Sequence, residues 1–224
     1  MCGIRYYMMA IAAENYMVLP AGREEIFIME PDRIHTLLAK AVTGISGTWA
    51  DFGSGDGVFT LALYALADPG TVIFSIDRDE DALQVQRLRF MSSFPAAHIN
   101  YLAQDFTHPL ILPKLDGILM ANSLHYVRDQ TAFLSRAARL LKPGLLFRQA
   151  GLPAGQGHAK SAGRIVVIEY DDRKPSPWVP YPVGFQRLSE LARSAGLPPP
   201  KFSGTVPSLY EGFLYSAIIS GKSR

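Results

Sequence analysis

Three aspartates stand where short apolar runs stop: Asp51 after Trp49-Ala50, Asp77 after Val72–Ile76, and Asp105 after His98–Ala103. A carboxylate at such a place can accept hydrogen bonds from both hydroxyls of a ribose, or sit beside a cation. Directly after Asp51 comes Phe52-Gly53-Ser54-Gly55-Asp56-Gly57, three alternate glycines between an apolar run and the start of an amphipathic one. Glycine tolerates positive φ and lets the backbone come close to a ligand. The free N–H groups of a following helical turn then face that ligand. A fourth apolar run, Leu115–Ala121, leads into Asn122-Ser123-Leu124-His125-Tyr126. With an unperturbed pKa near ~6.5, His125 is a candidate general base, with Tyr126 beside it as a second. The other reading of His125 is a structural histidine packed under that strand.

The elements that must position these residues follow from periodicity. Thr48–Phe52, Thr71–Ile76, His98–Ala103, Leu115–Ala121, Arg164–Tyr170, Lys201–Thr205 and Phe213–Ile219 read as strands. Pro31 opens a helix whose Ile34, Leu37, Leu38, Ala41, Val42 and Ile45 share a face, and Gly44 or Gly47 ends it. That helix is expected to pack beside the glycine loop. Val58–Ala67, Asp79–Ser92, Thr131–Leu141 and Phe185–Ala195 complete the helices, the second with Ala82, Val85, Leu88 and Met91 on one face. Alternating strands and helices imply a largely parallel sheet covered on both faces by right-handed crossovers. The short Val206–Gly212 connection adds an antiparallel hairpin at one edge. Ligands of such open sheets bind beyond the carboxyl ends of the strands, where the aspartates, Asn122–Tyr126 and Glu169-Tyr170 fall.

Several chemistries are disfavoured. The glycines do not fit G-x-G-x-x-G, because Val58 takes the sixth position, and no Lys follows to make a phosphate loop. The single cysteine, Cys2, permits neither a disulfide framework nor a CxxC site, which suits a reducing cytoplasm. His35, His98, His108 and His158 lack metal-ligand spacing, so no metal is expected. A formal charge of +2 with dispersed basic residues argues against nucleic acid as a partner. No run approaches the ~18 apolar residues of a membrane span. Tyr6–Ala13 is short and ends at Glu14, which disfavours a signal peptide and favours an N-terminal extension or an upstream start.

The combination Asp51-x-Gly53-x-Gly55-x-Gly57, Asp77, Asp105-Phe106 and Asn122-Ser123-Leu124-His125-Tyr126-Val127 resembles the class I S-adenosylmethionine-dependent methyltransferases of the small-molecule type, over roughly residues 31–219. The resemblance implies a Rossmann-like, doubly wound α/β fold with a mostly parallel seven-stranded sheet and an antiparallel C-terminal edge hairpin. It also implies S-adenosyl-L-methionine as cofactor. By that resemblance Asp51, Gly53, Ser54, Gly55 and Gly57 form the loop around the cofactor's sulfonium end, and Asp77 takes the ribose. Arg78 stacks on the adenine edge or is simply solvated. Asp105 meets the adenine amino group with Phe106 reading a ring nitrogen, unless Asp105 is a turn cap. The backbone of Asn122, Ser123 and Leu124 lines the methionine part. The N/D-P-P-Y motif of DNA and protein amide N-methyltransferases is absent.

One departure stands out. The family runs Lys-Pro-Gly-Gly straight into the fifth strand, whereas here Gly144 and Gly163 are separated by an insert, 145–162. The expected organisation is an extension or acceptor-side cap over 1–30, a methyltransferase domain over 31–219 and a tail over 220–224. Trp178, Tyr181, Phe185 and Tyr210 would give an aromatic acceptor wall, or merely close the core's edge. The function implied is methyl transfer to a small, partly apolar acceptor at oxygen, carbon or sulfur. The rival readings are a catalytically silent cofactor-binding protein and an NAD(P)-dependent oxidoreductase; the latter also lacks a Tyr-x-x-x-Lys pair.

Overall fold

The computed structural model describes residues 31–146, 159–160, 162–208 and 212–221. The elements are α1 (Pro31–Val42), β1 (Thr48–Phe52), α2 (Val58–Leu66), β2 (Val72–Asp77), α3 (Glu80–Ser93), β3 (His98–Ala103), β4 (Gly117–Ala121), α4 (Gln130–Leu140), β5 (Arg164–Asp171), α5 (Phe185–Ser194), β6 (Lys201–Pro207) and β7 (Phe213–Ser220). The seven strands form one sheet in the order β3-β2-β1-β4-β5-β7-β6. The first five are parallel, and β7 runs antiparallel to both β5 and β6. The order reverses between β1 and β4, the switch point at which a ligand cleft opens above an α/β sheet.

The two faces of the sheet carry separate cores, because successive side chains of a strand point to opposite faces. On one face Ala50, Phe52, Ile118, Met120, Ile165 and Val167 pack with α4 and α5 through Phe133, Leu134, Leu188 and Leu191. On the other, Trp49, Ile73, Leu119, Val166 and Ile168 meet α1 and α2 through Leu37, Leu38, Ala62 and Leu63. β4 is therefore buried along its whole length, which explains why Leu115–Ala121 reads as an unbroken apolar run. Gly117 is required there: a Cβ would lie 2.3 Å from the Trp49 ring.

Three expectations change. First, α1 packs against β6 and β7 and beside α2, the helix that follows the glycine loop; Gly204 permits this, since its Cβ would lie 2.6 Å from the Thr36 carbonyl oxygen. Second, α3 turns the opposite way. Val85, Leu88 and Met91 are 43%, 56% and 65% exposed, and the buried residues are Leu83, Gln86 and Phe90. Asp79 caps this helix instead of opening it, accepting from the N–H groups of Asp81 and Ala82. Third, the insert begins as a ladder: Leu145–Leu146 pairs antiparallel with Ala159–Lys160. The residues between, 147–158, lie outside the described ones, as do 1–30, Tyr210 and 222–224.

Candidate active site

The glycine loop closes the end of β1 with three left-handed residues, Gly53, Gly55 and Gly57, at φ 75°, 53° and 88°. The N–H groups of Gly53 and Ser54 both donate to the Ile76 carbonyl, at 2.8 and 3.1 Å, which ties the loop to β2. Gly57 is the N-cap of α2. A Cβ on Gly53 would come within 2.6 Å of Ser123 Cβ and 3.0 Å of Phe106 Cε1. The bare backbone thus lets three strand ends, those of β1, β3 and β4, meet at one point. A Cβ on Gly57 would strike Gln86 Cγ at 2.2 Å. Gln86 is buried there because Ser75 Oγ, 2.8 Å away, engages its amide oxygen; the same hydroxyl lies 2.8 Å from Ser54 Oγ.

The acids divide by environment. Asp77 Oδ2 accepts from the Gly55 N–H at 2.8 Å, and Oδ1 from the Asp79 N–H at 3.0 Å. Each oxygen keeps a further lone pair. Asp51 is buried, with Oδ2 accepting from the Thr60 hydroxyl at 2.6 Å and Oδ1 without a partner. Burial pushes its carboxyl up to about 7; the Thr60 bond opposes this and the Asp77 charge adds to it. Asp105 serves its own turn: Oδ1 takes both the N–H and the hydroxyl of Thr107, and Oδ2 lies 3.2 Å from His108 Nδ1. Partial burial works against ionisation there, but the Thr107 bonds and the His108 and Arg78 charges hold the carboxyl below the usual range. Arg78 itself is exposed.

Beyond β4 the chain turns through Asn122, a left-handed residue at φ 52° whose N–H donates to the Ile168 carbonyl. Asparagine is among the few residues that accept this conformation. Asn122 Oδ1 and Ser123 Oγ are buried without hydrogen-bond partners. Together with Asp51 Oδ1 and with Nε2 of Gln86, which packs on Gly57, they leave four polar atoms around the loop that the described protein does not satisfy. Buried polar groups are normally paired, so this cluster is where a polar ligand fits.

Leu124–Tyr126 forms a single 3-10 turn that buries His125. Its Nδ1 lies 2.7 Å from Glu169 Oε2, and its backbone N–H donates to Glu169 Oε1 at 3.1 Å. Both side chains are almost fully buried. A carboxylate only accepts, so Nδ1 carries the shared hydrogen, and in the neutral ring Nε2 is the nitrogen with the lone pair. The His125 ring packs against Tyr126, centroids 4.4 Å apart, and Tyr126 is half exposed. Glu169, at the end of β5, is the residue that local spacing missed as a partner. The signal for it is positional: it stands at the end of the strand beside β4, as Asp51 and Asp77 do at theirs.

The segment after β5 is strapped over this pair. The Tyr181 N–H donates to the His125 carbonyl at 3.0 Å, and Gln130 Nε2 donates to the Tyr181 carbonyl at 2.8 Å. Val179 and Val183 are buried, while Trp178 is 80% exposed and Tyr181 39%. Phe185 departs from the expected wall. It packs edge-on against Phe202 and Tyr215, both centroids within 6 Å, and so closes the core. Among the described residues no cluster of His, Cys, Asp or Glu could hold a metal, and no helix is long and apolar enough to cross a membrane.

Residues 50–146 match a family model described as a methyltransferase domain. No curated protein matches the chain. Among solved structures, the chain is similar to a SAM-dependent methyltransferase from Aquifex aeolicus, with TM-score 0.58 and 16% identity over 84% of this chain and 92% of that one. It is also similar to the N-methyltransferase NodS from Bradyrhizobium japonicum WM9, with TM-score 0.60 and 16% identity over 86% and 96%. A third is the magnesium protoporphyrin IX methyltransferase of Synechocystis PCC 6803 with bound SAM, at TM-score 0.53 and 12% identity over 81% and 72%. Residues 50–146 thus match a methyltransferase domain, and the chain shares the fold of these S-adenosylmethionine-dependent methyltransferases.

Proposed function

We propose that the protein methylates a hydroxyl oxygen of a small, partly apolar acceptor, with His125 as general base. The observation that carries this reading is the buried His125–Glu169 pair, 2.7 Å between Nδ1 and Oε2. A carbon or thiolate nucleophile that is already electron-rich needs no base, whereas a hydroxyl gains from losing its proton as it attacks. Glu169 holds the ring by its hydrogen-bearing nitrogen, so Nε2 is the nitrogen that receives a proton. Glu169 also grips the backbone N–H of the same residue, which limits the ring's freedom to turn away.

The unsatisfied polar atoms fit the cofactor. Asp51 Oδ1 would face a positive group, and Asn122 and Ser123 would meet the amino-acid part. Asp77 retains lone pairs for two ribose hydroxyls while its bonds from Gly55 and Asp79 hold it still. Phe106, against Gly53, would border the adenine. The bound cofactor supplies a methyl group on a sulfonium sulfur that becomes neutral as it leaves. The chain's own contribution is alignment, and positioning of this kind can be worth on the order of 7–11 kcal/mol. Tyr126 packs on the His125 ring, and Tyr181 and Trp178 of the neighbouring segment would add aromatic surface, which favours a flat, partly apolar acceptor over a polyanion.

The test is incubation of the protein with a small-molecule extract and S-adenosylmethionine deuterated in its methyl group. Mass spectrometry should find a product that has gained the labelled methyl on oxygen. Label found only on carbon, nitrogen or sulfur overturns the reading.

A further inference from the structure

Asp51 carries a property that its place beside the cofactor loop does not by itself require. Its carboxyl is 1% exposed, and only one oxygen is engaged, by a hydroxyl that is a weak partner for a full charge. The other oxygen has no partner among the described residues. Among the described residues, the elements packed around it offer no positive charge. From β2 come its register partner Ser75, which is neutral, and Asp77, which is negative. From β4 comes Leu119, and from α2 comes Thr60. In the loop, Asp56 is engaged by Arg89 at 2.9 Å; beyond β4, His125 is engaged by Glu169. An unpaired, desolvated carboxylate facing another carboxylate is costly, and retaining a proton relieves that cost.

We propose that Asp51 is a proton-coupled cation site: in the free protein its carboxyl keeps its proton, and the positive charge of the arriving cofactor expels it to solvent. The proposal rests on the cofactor lying at the Asp51–Gly57 loop. The step is a plain ionisation: the carboxyl O–H bond breaks, the proton goes to buffer, and the carboxylate is then paired with the bound cation. Nothing is oxidised or reduced. The consequence is selectivity for charge. A neutral adenosine thioether finds an uncharged carboxyl and gains nothing from it, whereas a cationic ligand ionises the site and is held by it. Burial and the Asp77 charge set the midpoint of this carboxyl at about 7, so the coupling operates near neutral pH.

The experiment is calorimetric titration at pH 6.5 in two buffers of different ionisation enthalpy, which counts protons released per ligand bound. The ligands are S-adenosylmethionine and 5′-methylthioadenosine, which keeps the adenosine and the thioether sulfur but has neither sulfonium nor ammonium. A midpoint of about 7 predicts release of about three quarters of a proton per S-adenosylmethionine. Methylthioadenosine should release none, and Asp51→Asn should abolish the release with S-adenosylmethionine while still binding methylthioadenosine. Equal release by both ligands, no release with S-adenosylmethionine, or undiminished release from Asp51→Asn overturns the proposal. If Asp51→Asn does not fold, the comparison of the two ligands on the wild-type protein decides. Failure of S-adenosylmethionine to bind the wild-type protein has a different meaning: it removes the cofactor reading itself, and this proposal with it.

Discussion

Glu169 holds His125 at two points, its Oε2 at 2.7 Å from the ring Nδ1 and its Oε1 on the backbone N–H at 3.1 Å. Removing one member of a buried pair leaves the other uncompensated, and such losses cost about 3–5 kcal/mol. Glu169→Ala should therefore lower the unfolding free energy by about that amount in denaturant titration. Glu169→Gln keeps the shape but lets the amide present a donor to the ring. Its turnover should fall by at least about tenfold and its pH profile should shift, because the ring nitrogen that holds the hydrogen is no longer dictated. An unchanged pH–rate profile in Glu169→Gln would show that the pair is structural only.

Gly53 and Gly55 separate two reasons for glycine. Both have positive φ, but an added Cβ meets Ser123 and Phe106 at Gly53 and nothing within 4 Å at Gly55. Gly55→Ala should cost only the left-handed backbone, about 1–2 kcal/mol. Gly53→Ala should cost more and should also abolish cofactor binding, since the ends of β3 and β4 must move apart. Paired thermal unfolding and cofactor titrations check this; equal effects of the two substitutions would mean that the close approach at Gly53 is unimportant.

The Asp51 carboxyl makes the free protein's stability depend on pH in a stated direction. Its folded midpoint, about 7, lies above the ordinary 3.8, so the folded state binds more protons than the unfolded one between those values. Stability contributed by this group is full below about pH 4 and declines as pH rises to about 7. Over that range the loss approaches ~4 kcal/mol as an upper bound, at 1.36 kcal/mol per unit. Asp51→Asn, which keeps an oxygen for Thr60, should be the more stable protein above pH 7, with the difference shrinking toward pH 5. Denaturant unfolding at the two pH values tests it; a gap that does not narrow would point to another cause.

Asp77→Ala removes the acceptor of the Gly55 N–H and, on the proposed reading, the acceptor for the ribose hydroxyls. Cofactor affinity should fall at least tenfold by calorimetry. Affinity within twofold of wild type would refute the ribose assignment.

Most of the fold could be read from the order of residues because its signals are local. Thr48–Phe52 ends at the glycine loop, β4 is an apolar run because both its faces are covered, and Gly196 closes the last helix with a left-handed turn. The misreadings have one cause each. In α3 the buried face includes Gln86, whose amide is drawn inward by Ser75 and whose stem packs on Gly57. An apolar count therefore selects the Val85–Leu88–Met91 stripe, which faces outward. Glu169 lies 44 residues from His125, and spacing carries no information about side chains that meet through neighbouring strands. Phe185 meets Phe202 and Tyr215 edge-on, contacts with later strands that its helical spacing does not encode.

The pocket strap predicts a separation of acceptor from cofactor. Trp178→Ala removes an aromatic side chain that is 80% exposed. It should raise KM for the acceptor severalfold and leave cofactor affinity unchanged. A parallel loss of cofactor affinity would place Trp178 elsewhere in the account.

The most direct measurement of the central claim is the turnover of His125→Ala on the methylated acceptor, with cofactor affinity measured in the same preparation. A general base of this kind contributes on the order of 10²–10⁴-fold, so turnover should fall by that factor while the cofactor still binds. Turnover within about twofold of wild type would contradict general-base catalysis by His125 and return the residue to a purely structural role.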